Sequence, residues 1–460
     1  MNTTTVVRVS RDRKHPRLSN ISITEGPVWK GLLTFFFPIL LGTFFQQLYN
    51  TTDAVIVGQF VGKEALAAVG GGTAVYVNLL VGFFVGLSSG ATVIISQFYG
   101  AKHDREVNRA VHTAVMLAIT AGAVMTAAGS LASPWAMTII GTPEDIYAQS
   151  VLYLRIYFYG MIPMFIYNMG SGVLRAVGDS CTPFYILVAG CGANIILDLL
   201  FVAVFHQGVA GASWATVLSQ TVSMLLVLAV LIRTDDSYRL TLRQLSITPH
   251  LLRDMVRIGF PAGIQSVLYT VSNLIIQANI NAFGTNTIAA WAAYGRIDSI
   301  FWMTSNSFGV ALTTFSGQNY GAKLYDRMKT ATRNGMAMAA GAAAGYCVLF
   351  WFTGRMFFHL FTTDEQVITT GMKMLHFLAP FFITYIPVEV FSGTIRGTGD
   401  SFNPMIITAF GVCVLRILWL LVTVPIWPSL ITVIACYPVT WTTTSVLFAL
   451  YYKHGTWINR

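Results

Sequence analysis

The chain has 460 residues, 55% of them hydrophobic and only 10% charged, with a mean hydropathy of +0.63 and a formal net charge of +9. Soluble domains carry about 25% charged residues, so this composition excludes a soluble globular protein. The long apolar stretches lack the alternation of a membrane β-barrel, which leaves an all-α integral membrane protein.

In chain order, residues 1–30 form a basic tail with Arg8, Arg11, Arg13, Lys14, Arg17 and Lys30. It is similar to the start of a signal peptide. The apolar run behind it is long and ends in Gln46-Gln47-Leu48-Tyr49-Asn50 without a small-x-small cleavage site, so no processing is expected. About 20 apolar residues span a bilayer as a helix. Twelve such helices are predicted, at about 32–58, 65–96, 107–132, 148–175, 181–205, 209–233, 252–283, 287–318, 329–353, 366–395, 402–426 and 429–452. The first six fill an N-terminal bundle at 31–233 and the last six a C-terminal bundle at 252–453. Between them lies a polar linker at 234–251, whose Pro249, with Arg253 and Arg257 just beyond, predicts a short helix running into helix 7. Residues 454–460 form a second tail.

The two bundles are copies. Gly172-Val-Leu-Arg-Ala-Val-Gly-Asp-Ser180 returns as Gly393-Thr-Ile-Arg-Gly-Thr-Gly-Asp-Ser401, and Tyr99-Gly-Ala-Lys102 as Tyr320-Gly-Ala-Lys323. Both matches have the same shift of 221 residues (172 to 393, 99 to 320), which marks an internal duplication. Six helices per copy return the chain to its starting side, so both copies insert in one orientation, related by a pseudo-twofold axis along the membrane normal.

Twenty-two of the 28 Lys and Arg residues fall on one face of this arrangement: the amino-terminal tail, the loops at 102–109 and 323–333, the linker with its flanks (Arg233, Arg239, Arg243, Arg253, Arg257), Arg175, Arg396, Lys453 and Arg460. The positive-inside rule makes that face, with both termini, cytoplasmic. The net charge is therefore an insertion signal, and no nucleic-acid partner is expected. Five cysteines without metal-like spacing read as small packing residues.

Glycines clustered in the spans predict close helix packing. Pro38 and Pro261 sit early in helices 1 and 7, where each removes a backbone hydrogen bond and bends its helix. Pro38 is the candidate hinge of helix 1. The doubled Arg175…Gly178-Asp179 and Arg396…Gly399-Asp400 motifs precede Pro183 and Pro404, and each Asp is expected to cap the helix that follows.

Ionisable residues at membrane depth cost about 2.5–3.5 kcal/mol each and are functional candidates by default. They are Asp53 (helix 1), Asp198 (helix 5), Arg296 and Asp298 (helix 8), Glu389 (helix 10) and Arg416 (helix 11). The duplication serves as a control: Ile276 and Trp419 stand opposite Asp53 and Asp198, so this acidic pair exists only in the first half. Asn194, one turn before Asp198, lies on the same helix face. Tyr153, Asn168 and Thr216 sit on helices 4 and 6. Two carboxylates in a low-dielectric bundle cannot both stay charged; one takes a proton, or a hard cation such as Na⁺ bridges them, with Asp53, Asn194 and Asp198 as oxygen ligands. In the second half, Glu389, Arg296 and Asp298 form a possible further site, with Glu389 expected to pair with Arg296 or Arg416.

These residues resemble the multidrug and toxic compound extrusion (MATE) family over essentially the whole chain after residue 30. The resemblance rests on Pro38 with Asp53 fifteen residues on, on Gln97-Phe-Tyr-Gly-Ala-Lys102 and Gln318-Asn-Tyr-Gly-Ala-Lys323, and on the doubled Arg…Gly-Asp-Ser motif. It implies two six-helix bundles in a V shape, exporting organic, often cationic, drug-like compounds in antiport with H⁺ or Na⁺ by alternating access. The amino-terminal half is similar to the DinF-like branch, which implies a cation site at Asp53, Tyr153, Asn168, Asn194, Asp198 and Thr216. The acids that NorM-type members carry in helices 7 and 10 read Tyr269 and Tyr385 here. The resemblance further implies a multi-pass protein of the bacterial cytoplasmic (inner) membrane. The coupling ion is the only ligand expected besides substrate, without a cofactor, and the chain is expected to act as a monomer. One rival is a lipid-linked oligosaccharide flippase of related architecture, which would carry more basic residues in its cleft. An intramembrane enzyme is not expected, because the eight histidines form no His-x-x-x-His or His-Glu-x-x-His group.

Overall fold

The computed structural model describes residues 23–458, so the tail arginines from Arg8 to Arg17 and Arg460 lie outside the described residues. Twelve helical spans follow in order. They are α1 (Val28–Phe60), α2 (Lys63–Gly100), α3 (Asp104–Ile139), α4 (Glu144–Ala176), α5 (Cys181–Val204), α6 (Gly208–Arg233), α7 (Pro249–Asn281), α8 (Thr285–Gly321), α9 (Tyr325–His359), α10 (Glu365–Gly397), α11 (Phe402–Ile426) and α12 (Leu430–His454). Nine are each long and apolar enough to cross a membrane, and α4, bent by 49° at Gly160, makes a tenth. Helices α7 and α8 are also long enough, at 33 and 37 residues, but more polar. The expected short helix at Pro249 is the beginning of α7 itself, so the linker shortens to 234–248. It docks on α3, where Asn108 donates to the Arg239 carbonyl (2.9 Å) and His112 Nε2 accepts from the Thr241 amide (3.1 Å).

The doubled motifs are turns. Lys102 and Lys323 both take left-handed φ, 58° and 60°, closing α2 and α8. Gly178 and Gly399 do the same at 96° and 93°, a conformation a side chain would strain. The expected caps form: Asp179 accepts from the Thr182 amide (2.9 Å) and hydroxyl (2.6 Å), and Asp400 from the Asn403 amide (3.3 Å) and side chain (2.8 Å).

Each half buries its own apolar core, and the first turns of α1 and α7 are exchanged between them. Leu32, Phe35 and Phe36 of α1 are buried in the C-terminal core, where Phe36 stacks on Phe308 with centroids 4.0 Å apart. Reciprocally, Leu251, Met255 and Ile258 of α7 are buried in the N-terminal core. Arg327 of α9 fixes the base of α1 by donating to the carbonyls of Ile23 (3.0 Å), Gly26 (2.7 Å) and Glu25 (2.5 Å). Six residues beyond Phe36, α1 reaches Gly42, which packs beside Leu187 of α5 in the N-terminal half. Pro38 stands at this change of lobe.

The expected glycine packing is seen where α2 crosses α7. A Cβ on Gly90 would lie 2.1 Å from the Met255 carbonyl, and one on Gly86 would lie 2.4 Å from the Gly263 nitrogen. Backbone cannot swing aside as a side chain does. Gly90→Ala is therefore expected to cost about 3 kcal/mol, the upper end for overpacking, read as a lower melting temperature of the detergent-solubilised protein.

At the basic end two glutamines tie the lobes together. Gln97 of α2 donates to the Gly397 carbonyl of α10 (2.9 Å), and its repeat Gln318 of α8 donates to the Ala176 carbonyl of α4 (2.6 Å). Beside them a Cβ on Gly100 or Gly321 would meet the opposite glutamine's backbone carbonyl at 2.0 or 1.9 Å. Two backbones this close, joined by paired hydrogen bonds, shut the basic end.

Candidate functional site

A cavity of about 1130 Å³ runs through the N-terminal half. It extends from Gln59 and Lys63, at the far end of α1, to Arg175 and Ser180 near the basic end. Helix α1 forms one wall from Pro38 to Gln59, so its apolar base belongs to one lobe and its polar upper part to the cavity of the other. Among the described lining residues, Arg296 is the one contribution of the C-terminal half.

Asp53, Tyr153, Asn168 and Thr216 all line this cavity. Asp198 and Asn194 lie just behind the wall, fully or almost fully buried. The carboxyls of Asp53 and Asp198 come close enough to interact directly. Their hydrogen-bonding geometry is nevertheless incomplete: Asp53 Oδ1, both oxygens of Asp198, and Oδ1 and Nδ2 of Asn194 are buried without a partner. An α-helix carries the Asn194 and Asp198 side chains one turn apart on one face. Directly after Asp198 the helix loosens into a π-helical turn, Leu199–Val204, a distortion common at functional positions.

Other side chains of the set are tied locally. Asn168 Nδ2 donates to the Met164 carbonyl (2.9 Å) and Thr216 Oγ1 to the Ala212 carbonyl (3.1 Å), each within its own helix. The Asn168 side-chain oxygen is not used in that bond and can face the cavity. Two tyrosines that sequence reasoning passed over complete the cluster. Tyr49 reaches the Thr216 hydroxyl and, with Tyr157, lies within electrostatic range of Asp53. Tyr157 stacks on Tyr153 at 5.9 Å. Spacing could have found both, since Tyr49 is one turn before Asp53 and Tyr157 one turn after Tyr153.

An orphaned set of carboxylate and amide oxygens, ringed by phenols, is chemically suited to a hard cation or a shared proton. Unpaired, it is an expensive arrangement in lipid, because each unmet buried acceptor costs about 1–3 kcal/mol.

The second half differs. The expected pairing of Glu389 with Arg296 or Arg416 does not form; its partner is Arg396, two turns on along α10, at 3.7 Å. Tyr385 donates to Glu389 (3.3 Å) and touches Tyr269 (3.4 Å), so the two positions where the resemblance led one to look for acids form a tyrosine pair. Asp298 accepts from Trp302 Nε1 (2.5 Å), and the Trp302 and Tyr385 rings, 4.7 Å apart, stand between it and Glu389. Arg296 is exposed toward the cleft instead. Arg416 has neutral neighbours, Ser272 (3.2 Å) and Asn273 (3.3 Å), and lies 4.5 Å over the Tyr437 ring. Glu389, Arg296 and Asp298 therefore do not meet in one site. Glu389→Gln should strand Arg396 and cost about 3 kcal/mol of stability, largely recovered in the double variant Glu389→Gln/Arg396→Gln. Melting curves of the four proteins in detergent give the cycle.

Two bundles related by a duplication, a closed basic end and a polar cluster inside a deep cavity are the features of a multi-pass membrane transporter. The comparisons agree with that class. The MatE family model matches residues 38–200 and 261–422, one match per half, and the chain belongs to the MATE family. It is 30% identical over 396 residues to the probable multidrug resistance protein YoeA of Bacillus subtilis, covering 84% of each chain. With the probable multidrug resistance protein YpnP of the same organism it shares 28% over 396 residues, covering 85% of this chain and 88% of the relative. A solved structure of a MOP superfamily transporter from Pyrococcus furiosus, described as having reverse polarity of its binding pocket, superposes with a TM-score of 0.88. It is 23% identical and covers 96% of this chain and 99% of its own.

Proposed function

We propose that this protein is a secondary-active exporter of organic, drug-like compounds, driven by antiport of H⁺ or Na⁺ through the Asp53/Asp198 cluster. The carrying observation is the buried pair itself, Asp53 and Asp198, with unpaired oxygens on both and on Asn194 beside a large cavity. The relatives' names, probable multidrug resistance proteins, support the substrate class. The DinF-like arrangement follows from the same residues, with acids in the first half and tyrosines at the second-half positions.

The basic face is cytoplasmic in this reading, by the distribution of Lys and Arg. The cavity then opens outward while the glutamine pair holds the cytoplasmic end shut. Taking up one monovalent cation cancels one of the two negative charges, and with it the mutual repulsion of the carboxyls. That change acts on α1, whose upper part carries Asp53 while its base is held in the opposite lobe by Arg327 and the Phe36–Phe308 stack. Strain between the two ends falls at Pro38, where a backbone hydrogen bond is already missing. A change of charge at one site is thereby transmitted to the contact between lobes. Drug leaves on the outer side, the loaded protein turns inward, and loss of the cation restores drug affinity.

One charge crossing 100 mV supplies about 2.3 kcal/mol, enough for a roughly fortyfold gradient of neutral drug. Dye efflux from proteoliposomes under separately imposed pH and Na⁺ gradients tests the proposal. One gradient should drive efflux and the other should not; efflux indifferent to both would refute antiport.

A further inference from the structure

We propose that the cavity contains a subsite for an anionic group on the transported compound, held by Arg175 near the basic end, so that preferred substrates carry a carboxylate or phosphate. This rests on the transport reading above and refines its substrate class.

The duplication supplies the argument. In the second half Arg396 has an acid partner, Glu389, seven residues earlier on the same helix at 3.7 Å. The first half keeps the arginine, as Arg175, but has Asn168 where Glu389 stands. The amide turns to its own helix, donating to the Met164 carbonyl. Among the described residues no carboxylate lies within ion-pair distance of Arg175. Its charge neighbour is the neutral Tyr167 phenol, and Asp179, one turn on, is engaged by Thr182.

The surroundings are those of a receptor for oxygens. Arg175, Ser171 and Ser180 all line the cavity. Both serine hydroxyls are buried with no complete hydrogen bond, although the Tyr167 phenol stands beside Ser171. A guanidinium in fork geometry with two hydroxyls can satisfy the oxygens of a carboxylate or phosphate. The charge of the whole wall has the same sense: Lys63, Arg175 and Arg296 line the cavity against Asp53 alone. Where the second half closes its arginine with a residue of its own, the first half leaves the place to a ligand. The often cationic substrates implied by resemblance are thereby narrowed to compounds that also carry an acid.

The test uses the full-length protein in lipid-free neutral detergent, without any ion gradient, and two xanthene dyes identical but for a free carboxylate or its methyl ester. Fluorescence anisotropy gives both dissociation constants. Wild type should bind the acid about tenfold more tightly than the ester, Arg175→Gln should bring the ratio near one, and Arg175→Lys should keep most of it. Equal affinities in wild type, or an undiminished ratio in Arg175→Gln, would overturn the subsite even though the dyes bind. Because the first readout is on wild type, a poorly folding variant leaves the proposal exposed. Failure of both dyes to bind would instead overturn the transport reading, and this inference with it. Adding inorganic phosphate or phosphatidylglycerol vesicles separates the sources of the anion. If the lipid, unlike phosphatidylcholine, erases the wild-type preference, the subsite belongs to a headgroup and the substrate assignment is wrong. Competition by phosphate alone supports a site for the anionic group itself.

Discussion

Asp53→Asn is expected to reduce ion-driven export about a hundredfold or more while the protein still folds and inserts, and Asp198→Asn should behave alike. Asparagine keeps the shape and one acceptor of aspartate but cannot take up a proton or neutralise a bound cation. The loss falls on coupling, because passage of the ion down its electrochemical gradient is the only energy input. Exchange of substrate across the membrane without any gradient should therefore persist. That contrast, measured in the same proteoliposomes, separates a coupling role from a scaffold role. Loss of both activities would assign the pair to structure, and retention of driven export would remove it from the mechanism.

Gln97→Leu combined with Gln318→Leu should produce the second large effect, a shift of the resting protein toward an opening at its basic end. The two amides satisfy the carbonyls of Gly397 and Ala176, at the ends of α10 and α4, across the lobe boundary. Removing one donor strands a buried acceptor at a cost of about 1–3 kcal/mol. The pair together costs about 3 kcal/mol or more, which changes a two-state ratio roughly a hundredfold. Only the closed state pays this cost, since separation of the lobes exposes both carbonyls to water. Spin labels on the loops at 102–103 and 323–324 would report it as a longer distance becoming dominant. An unchanged distance distribution would show that the glycine contacts alone hold the end shut.

Much of this architecture was legible in the residues. The apolar spans gave twelve helices because membrane crossing leaves few alternatives, and the shared offset of two motifs revealed the duplication. Lone acids at Asp53 and Asp198 stood out because lipid makes charge costly. Their proximity followed from helix periodicity for Asn194 and Asp198, but the approach of Asp53 depends on the packing of α1 against α5. What stayed hidden has physical causes. The apolar base of α1 does not specify which lobe buries Leu32, Phe35 and Phe36, since leucine and phenylalanine pack against any apolar partner. The bend at Gly160 and the π-helical turn after Asp198 leave no periodicity signature over so few residues. The expected pairing of Glu389 with Arg296 or Arg416, on other helices, gives way to an arginine on its own helix. Arg396 lies two turns away along α10, about 10 Å by helical rise, a gap that two long side chains bridge. The same geometry, read back onto Asn168 and Arg175, exposes the missing acid on which the proposed anion subsite rests.

The most direct measurement is the number of cations displaced when substrate binds the detergent-solubilised wild-type protein. Titration calorimetry in buffers of differing ionisation enthalpy counts protons, and a sodium-selective electrode counts Na⁺. Release of about one cation per substrate bound is expected from wild type, and none from Asp53→Asn/Asp198→Asn. Substrate binding with no ion release from wild type, or with equal release from the double variant, would contradict it.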